Sequence, residues 1–367
     1  MKILILSCDT GQGHNSAARA VEEAAGRRSI PCCLANPLSF GGKKSARLAA
    51  DVYNNIIRVA PRAFGVIYKA GDLYSSTRLT SPVYYVNRLY ADKLKAYILE
   101  NNYTAVVCTH LYAMEALTAL QSDPEFTVPC YGVLTDYTCI PFFAETRLTG
   151  YFIPHTDLTA EMIEKGLPAE RLHSTGIPVS ARFAQHIEQK AAREQLGLPQ
   201  DQPVLLIMSG GVGCGNLVEL CEQLRQTADA FTACVLTGSN QKIRERIDTR
   251  FAGDSRIRTV PFTKDVNIYM NAADVMISKP GGLTSTEAAV ANVPLVHQLA
   301  FSGCEAKNVA FFTAHGLSVQ ADSCRSAVEN AWALIRDPAR AAEMRRRQHD
   351  CIAPDAADRI ISEIVNQ

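Results

Sequence analysis

Short runs of aliphatic and β-branched residues alternate along the chain with stretches whose apolar positions recur every three to four residues. The short runs fall at 3–6, 105–108, 131–134, 150–153, 204–208, 232–236, 257–260, 275–277 and 295–296. Apolar runs this short, bounded by turn residues, predict buried strands. Helical spacing lies between most of them, at 15–25, 217–227, 240–251, 266–272 and 284–291. Alternation of strand and helix predicts an α/β fold with parallel sheets.

The pattern starts twice. It runs strand, glycine loop, helix from Met1, and again from Pro203 in PVLLIMSGGVGCGNLVELCEQL. Between the two lie TGIPVSARF, a charged helix at 187–196 and LGLPQDQP, so a hinge is expected within 178–203. A chain of 367 residues is also longer than one core usually serves. We therefore expect domains at 1–185 and 186–350 and a C-terminal segment at 351–367. In that segment Ala356, Ala357, Ile360, Ile361, Ile364 and Val365 fall at helical spacing, and the helix can pack back on either domain.

Residues 37–100 break the alternation. They contain no clear strand, and Val86, Leu89, Tyr90, Leu94, Tyr97 and Ile98 fall at helical spacing. From Gly41 to Tyr97 there are ten basic and three acidic residues, a local excess of seven. One reading is a helical hairpin packed on the first sheet. The other is a surface facing an anionic membrane, since each basic residue near such a surface contributes roughly 1 kcal/mol. Both hold if different faces serve them.

Composition narrows the function classes. Hydrophobic residues are 47% and charged residues 20%, ordinary for a globular protein. Lys+Arg and Asp+Glu are both 37, so global charge gives no reason to expect a nucleic-acid partner. The twelve cysteines are scattered with no CxxC pair, which fits free thiols in a reducing compartment and neither a disulfide frame nor a zinc site. MKILILS is too short for a signal peptide, and no apolar run reaches the roughly 18 residues a spanning helix needs. The expectation is a cytoplasmic protein, peripheral on the inner face of the plasma membrane.

Parallel sheets bind ligands at the carboxyl ends of their strands, and four polar loops fall there. In CDTGQGHNSAARA, Gly11 and Gly13 allow a ligand to approach the backbone, Asn15 or Ser16 can cap the helix, and His14 sits at its mouth. A lone histidine is more often structural than catalytic; its place between a glycine turn and a helix start favours function. The loop lacks the third glycine of GxGxxG and is not a P-loop. SGGVGCGN, with Gly210 and Gly211, precedes a helix as a phosphate cradle would, although glycine turns of this kind are common. In ISKPGGLTSTEAAV, Gly281 and Gly282 can meet a diphosphate, the hydroxyl of Thr284 or Ser285 can hold it, and Glu287 can accept both hydroxyls of a ribose. The plainer alternative for Glu287 is a favourable charge near a helix N-terminus. In SGCEAKNVAFF, Glu305 and Asn308 share a helix face, which suits sugar hydroxyls or simply a solvated helix start.

GQGHNSAARA, LIMSGGVGCG, PFTKDVNIYMNAADVMISKPGGLTSTEA and GCEAKNVAFF together resemble the diacylglycerol glycosyltransferases, in order and over most of the chain. These comprise the plant monogalactosyldiacylglycerol synthases and bacterial processive diacylglycerol glucosyltransferases, relatives of the N-acetylglucosaminyltransferase of peptidoglycan synthesis. The resemblance implies a GT-B fold, with two Rossmann-like domains facing a cleft, acceptor on the first and UDP-sugar on the second. It implies uracil beside Phe262, Thr263 and Lys264, diphosphate at Gly281, Gly282 and Thr284, and ribose at Glu287. The hexose would meet Glu305 and Asn308, Gly210 and Gly211 would lie across the cleft floor, and His14 would face the acceptor hydroxyl. It implies an inverting reaction with no metal and no cofactor beyond the donor, and the second half has no DxD motif. Asp136 of the TDYTCIPFFAE stretch is retained, but Ile140, Phe142 and Phe143 stand where the family usually has a His and then a Trp. His14 is the first candidate base, since neutral imidazole titrates near working pH. Asp136 is the second, as base or as orienter of His14. The expected partners are a UDP-hexose, a lipid acceptor and an anionic membrane surface. The rival readings are transfer of N-acetylglucosamine to a polyprenyl-linked acceptor, a UDP-N-acetylglucosamine 2-epimerase, and a nucleotide-sugar sensor without activity.

Overall fold

The computed structural model describes residues 1–8, 12–41, 71, 73–75, 79–209, 216–298 and 303–366. Gly11, Gly210, Gly211 and much of the basic 37–100 stretch lie outside the described residues.

Two compact units divide the chain, residues 1–180 with 355–367 in the first and most of 181–354 in the second. Each is built on a six-stranded, wholly parallel sheet. In the first the strands are β1 (Ile3–Leu6), β2 (Cys32–Ala35), β3 (Ala105–Cys108), β4 (Cys130–Val133), β5 (Gly150–Ile153) and β6 (Leu172–Ser174), in the order β2-β1-β3-β4-β5-β6. In the second they are β7 (Val204–Met208), β8 (Thr232–Gly238), β9 (Ile257–Pro261), β10 (Val275–Ser278), β11 (Leu295–His297) and β12 (Val319–Gln320), in the order β12-β11-β10-β7-β8-β9. The central strands β1, β3, β7 and β10 are buried along their whole length, as strands covered on both faces must be.

The helices that bear on function are α1 (Gln12–Arg27), α2 (Pro82–Arg88), α3 (Gly282–Val290), α4 (Cys304–Ala314) and α5 (Ala356–Asn366). α5 belongs to the first unit. Its Ala357, Ile360, Ile361 and Ile364 join Val21, Ala24 and Ala25 of α1 over Ile3, Ile5 and Val107 in one apolar cluster. Val365, expected inside from its spacing, is 45% exposed. Arg27 pairs with Asp358 at 2.7 Å at the rim of this contact.

The helical spacing after residue 82 divides between two faces. The helix breaks at Leu89 and Tyr90 before the next begins at Ala91. Past the break Tyr90, Leu94 and Ile98 turn inward and are buried. Before it, Pro82, Tyr85, Val86 and Leu89, at i, i+3, i+4 and i+7, are exposed. That apolar stripe faces solvent beside Arg88 and Lys93. No helix among the described residues is long and apolar enough to cross a membrane.

Candidate active site

α1 begins earlier than the sequence suggests. Asn15 and Ser16 lie inside it, past the capping position; Asn15 accepts a 2.7 Å hydrogen bond from the Ser7 hydroxyl at the end of β1. Gly13 and His14 are therefore in the first turn, at the carboxyl edge of the first sheet. His14 Nδ1 lies 2.7 Å from the Thr109 carbonyl oxygen and 3.1 Å from the Thr135 hydroxyl. A carbonyl only accepts, so Nδ1 carries the proton and the neutral ring keeps its lone pair on Nε2. Burial lowers the His14 pKa; the charge of Asp136, in the bend after β4, and the Thr109 bond push it back up. His14 is thus neutral at pH 7, with a carboxylate nearby to stabilise its cation.

A second imidazole accompanies it. His110 follows β3, its ring 4.6 Å from that of His14 at 73°, and its Nδ1 accepts the Tyr112 N–H at 3.2 Å. Burial first, and then His14, hold its pKa well below the usual value. His110 was missed in the sequence, although CTH stands at the end of a strand and the strand-end rule that found His14 applies to it equally.

In the second unit the turn after β10 leads into α3. Gly281 is the residue before the helix, extended at φ −75° and ψ 137°, and no side chain caps the first turn. The Gly281 N–H donates to the Lys279 carbonyl at 2.9 Å; the next N–H groups, of Gly282, Leu283 and Thr284, have no intrahelical acceptor, and the helix N-terminus favours an anion. A methyl group built on Gly281 would meet nothing within 4 Å, so the backbone is open to close approach. Of the two hydroxyls left open by the sequence, Thr284 is half-buried and Ser285 is fully buried. Ser285 lies 2.8 Å from His297 Nε2, while Ser318 lies 3.0 Å from Nδ1 of the same ring. Burial drives the His297 pKa down to about 3, so the ring is neutral and braces the first turn from inside. Ser285 is therefore committed to the core.

Glu287 lies on the half-buried side of α3, with Thr284 one turn before it. Burial pushes its pKa up to about 8, and Arg182 opposes the shift. The same Arg182 donates to the Lys264 carbonyl at 2.9 Å, tying the loop after β9 to α3. In that loop Phe262 is 59% exposed and the Thr263 hydroxyl accepts the Asp265 N–H at 3.0 Å. Arg182 was also missed, because it falls in the stretch read only as a hinge. Asn308 is fully buried and its Nδ2 donates to the Pro280 carbonyl at 3.0 Å, supporting the glycine turn from beneath. Glu305 pairs with Lys279 at 2.6 Å. Ser209, at the end of β7, buries a hydroxyl with no hydrogen-bond partner among the described residues. The structure thus gathers Gly281, Gly282, Thr284, Glu287, Glu305 and Asn308 around one turn and links Lys264 to it through Arg182.

Comparison with known proteins agrees with this architecture. Residues 14–179 match the family model of monogalactosyldiacylglycerol (MGDG) synthase, and residues 204–360 that of the glycosyltransferase family 28 C-terminal domain. The processive diacylglycerol beta-glucosyltransferase of Bacillus cytotoxicus is 25% identical over 372 residues, covering 100% of this chain and 94% of that protein. Its counterpart in Bacillus thuringiensis is 23% identical over the same shares. Among solved structures, Acinetobacter baumannii MurG superimposes with a TM-score of 0.67 at 16% identity, over 100% of this chain and 99% of that one. Anabaena HepE in complex with UDP-glucose gives 0.61 at 14% identity, over 100% and 99%. The UDP-GlcNAc 2-epimerase of Neisseria meningitidis gives 0.63 at 13%, over 100% of both chains, so fold alone does not separate transferase from epimerase.

The two parallel sheets and the likeness to MurG define the GT-B fold. Within that class the family models and the full-length relatives decide. The chain belongs to the diacylglycerol glycosyltransferases, the family of monogalactosyldiacylglycerol synthase and processive diacylglycerol beta-glucosyltransferase.

Proposed function

We propose that the protein transfers a hexose from a UDP-sugar to the hydroxyl of a diacylglycerol-type lipid at an anionic membrane surface, with inversion at the anomeric carbon. The observation that carries this reading is the His14 tautomer: Nδ1–H is engaged by the Thr109 carbonyl, which leaves Nε2 as a base. In the reaction His14 Nε2 takes the acceptor proton, and the acceptor oxygen attacks C1 from the face opposite UDP. The bond from C1 to the diphosphate oxygen breaks, and its electron pair leaves with UDP. The charge of Asp136 stabilises the imidazolium that forms. The charge gathering on the diphosphate meets the open backbone face of Gly281, the N–H groups of Gly282 and Thr284 and the positive end of α3. That arrangement favours a reaction that needs no metal. Glu287 receives the ribose, Phe262 and the Thr263–Lys264 backbone flank the uracil, and Glu305, oriented by Lys279, reads the hexose with Asn308 beside it.

The lipid acceptor is supported by the names of the full-length relatives. A peripheral membrane site is supported by the outward stripe of Pro82, Tyr85, Val86 and Leu89 flanked by Arg88 and Lys93. None of the eleven cysteines among the described residues forms a disulfide, which favours the reducing side of the membrane.

The test is transfer from a panel of UDP-hexoses to diacylglycerol in vesicles containing anionic lipid, with mass analysis of products and flotation of the protein. The expected product is a monohexosyl or oligohexosyl diacylglycerol. His14→Ala is expected to lower turnover about 10²–10⁴-fold and leave UDP binding intact. Epimerisation of UDP-N-acetylglucosamine with no lipid product would reject the reading.

A further inference from the structure

The bend after β4 brings two residues to His14. The ladder between β4 and β5 runs on to Leu134, whose N–H donates to the Phe152 carbonyl at 3.0 Å. The chain then bends at 136–138. Thr135, where the bend begins, puts its hydroxyl 3.1 Å from His14 Nδ1. Asp136 follows, and its charge acts on the same ring. From there the chain turns inward, and Tyr137, Thr138 and Cys139 are buried.

That inner end is tied to one side chain. Glu161 Oε1 accepts the Thr138 hydroxyl at 2.6 Å and the Cys139 N–H at 3.1 Å. Two donors on one oxygen fix both a side chain and the backbone of the bend. Glu161 is itself held in place. It belongs to the short helix Thr159–Lys165, whose Met162 is fully buried. Gly166 closes that helix at φ 117°, its N–H donating to the Met162 and Ile163 carbonyls at 3.2 and 3.0 Å. A buried threonine hydroxyl needs an acceptor in any fold. Here the acceptor grips the chain with only Tyr137 between Asp136 and the anchored Thr138. His110 also faces His14, 4.6 Å away, but burial keeps that ring neutral, so the charge that acts on His14 is that of Asp136.

We propose that Glu161 is a positioning residue for the reaction: by gripping Thr138 and Cys139 it fixes the bend that holds Thr135 and Asp136 beside His14, and so governs how well that ring accepts the proton of the acceptor hydroxyl. This rests on the transferase reading above.

The experiment follows kcat/KM against pH for transfer from a UDP-hexose to diacylglycerol in vesicles. Glu161→Ala is expected to lower the plateau about tenfold, through kcat and with UDP affinity unchanged. Its acid limb should move to lower pH, because a displaced Asp136 no longer supports the imidazolium. Added to Asp136→Asn, Glu161→Ala should change limb and plateau little, since the group it positions is already gone. Glu161→Gln, which keeps an acceptor oxygen, should restore the limb and most of the rate. If Glu161→Ala does not fold, Thr138→Val removes one of the two donors and carries the same expectation at smaller amplitude. A limb that stays in place would overturn the proposal, as would a full further loss in the Asp136→Asn background, the signature of a residue that only braces the fold. If no hexose reaches any lipid, the transferase reading fails and this role with it; if the unaltered protein transfers and the limb does not move, only the role of Glu161 fails.

Discussion

Glu287 is held at a pKa of about 8 by burial, with Arg182 pulling the other way. In the unfolded chain it would titrate near 4.5. Between these values the native protein keeps a proton that the unfolded chain has lost, so this group's contribution to stability falls as pH rises through that window and stays reduced above it. On the ribose role proposed above, the hydroxyls would donate to the ionised form, so UDP binding near pH 7 should release a proton and tighten toward pH 8. Glu287→Gln should therefore raise stability at pH 8 by about 2 kcal/mol while weakening UDP. Thermal melts and calorimetry in two buffers of different ionisation heat check both halves. At the other site, the acid limb of kcat/KM should lie below 6.5, where burial places His14. Asp136 raises that pKa, so Asp136→Asn should shift the limb to still lower pH and slow the plateau. If Asp136→Asn abolishes turnover while His14→Ala retains it, Asp136 is the base.

The glycine turn before α3 is an element whose chemistry lies in its backbone. Gly281 has an ordinary φ and empty space where a side chain would go, so folding does not demand glycine there. Gly281→Ala should melt like the unaltered protein. Its methyl group would stand where the diphosphate approaches, and UDP affinity should fall about tenfold, read by calorimetry. Elements of this kind were legible in the sequence because strand, polar loop and helix follow one another locally. β2, β6 and β12 were not. All three are edge strands of four residues or fewer, and none is fully buried, so their apolar signal is weak. In α2 periodicity showed a helix but not which face is covered; the break at Leu89 and Tyr90 decides that. Arg182 and Ser285 were illegible for another reason. Their roles depend on Glu287, Lys264 and His297, partners that the fold, not the local sequence, brings near.

At the scale of the whole chain, the second unit is an insertion between α5 and the rest of the unit it completes. Ile360, Ile361 and Ile364 are buried against α1, the helix that carries His14. Burial of such side chains contributes roughly 1.5–3 kcal/mol each. A chain stopped at Pro354 should lose transferase activity and expose residues 1–180 to protease while the second unit still binds UDP, a split that limited proteolysis with and without UDP would reveal. The same arrangement orders events on the ribosome. The sheet that bears the candidate base emerges first, yet one side of its core stays uncovered until residues 181–354 have been synthesised. A nascent chain therefore cannot close the core beneath α1 until the whole of the second unit has been made.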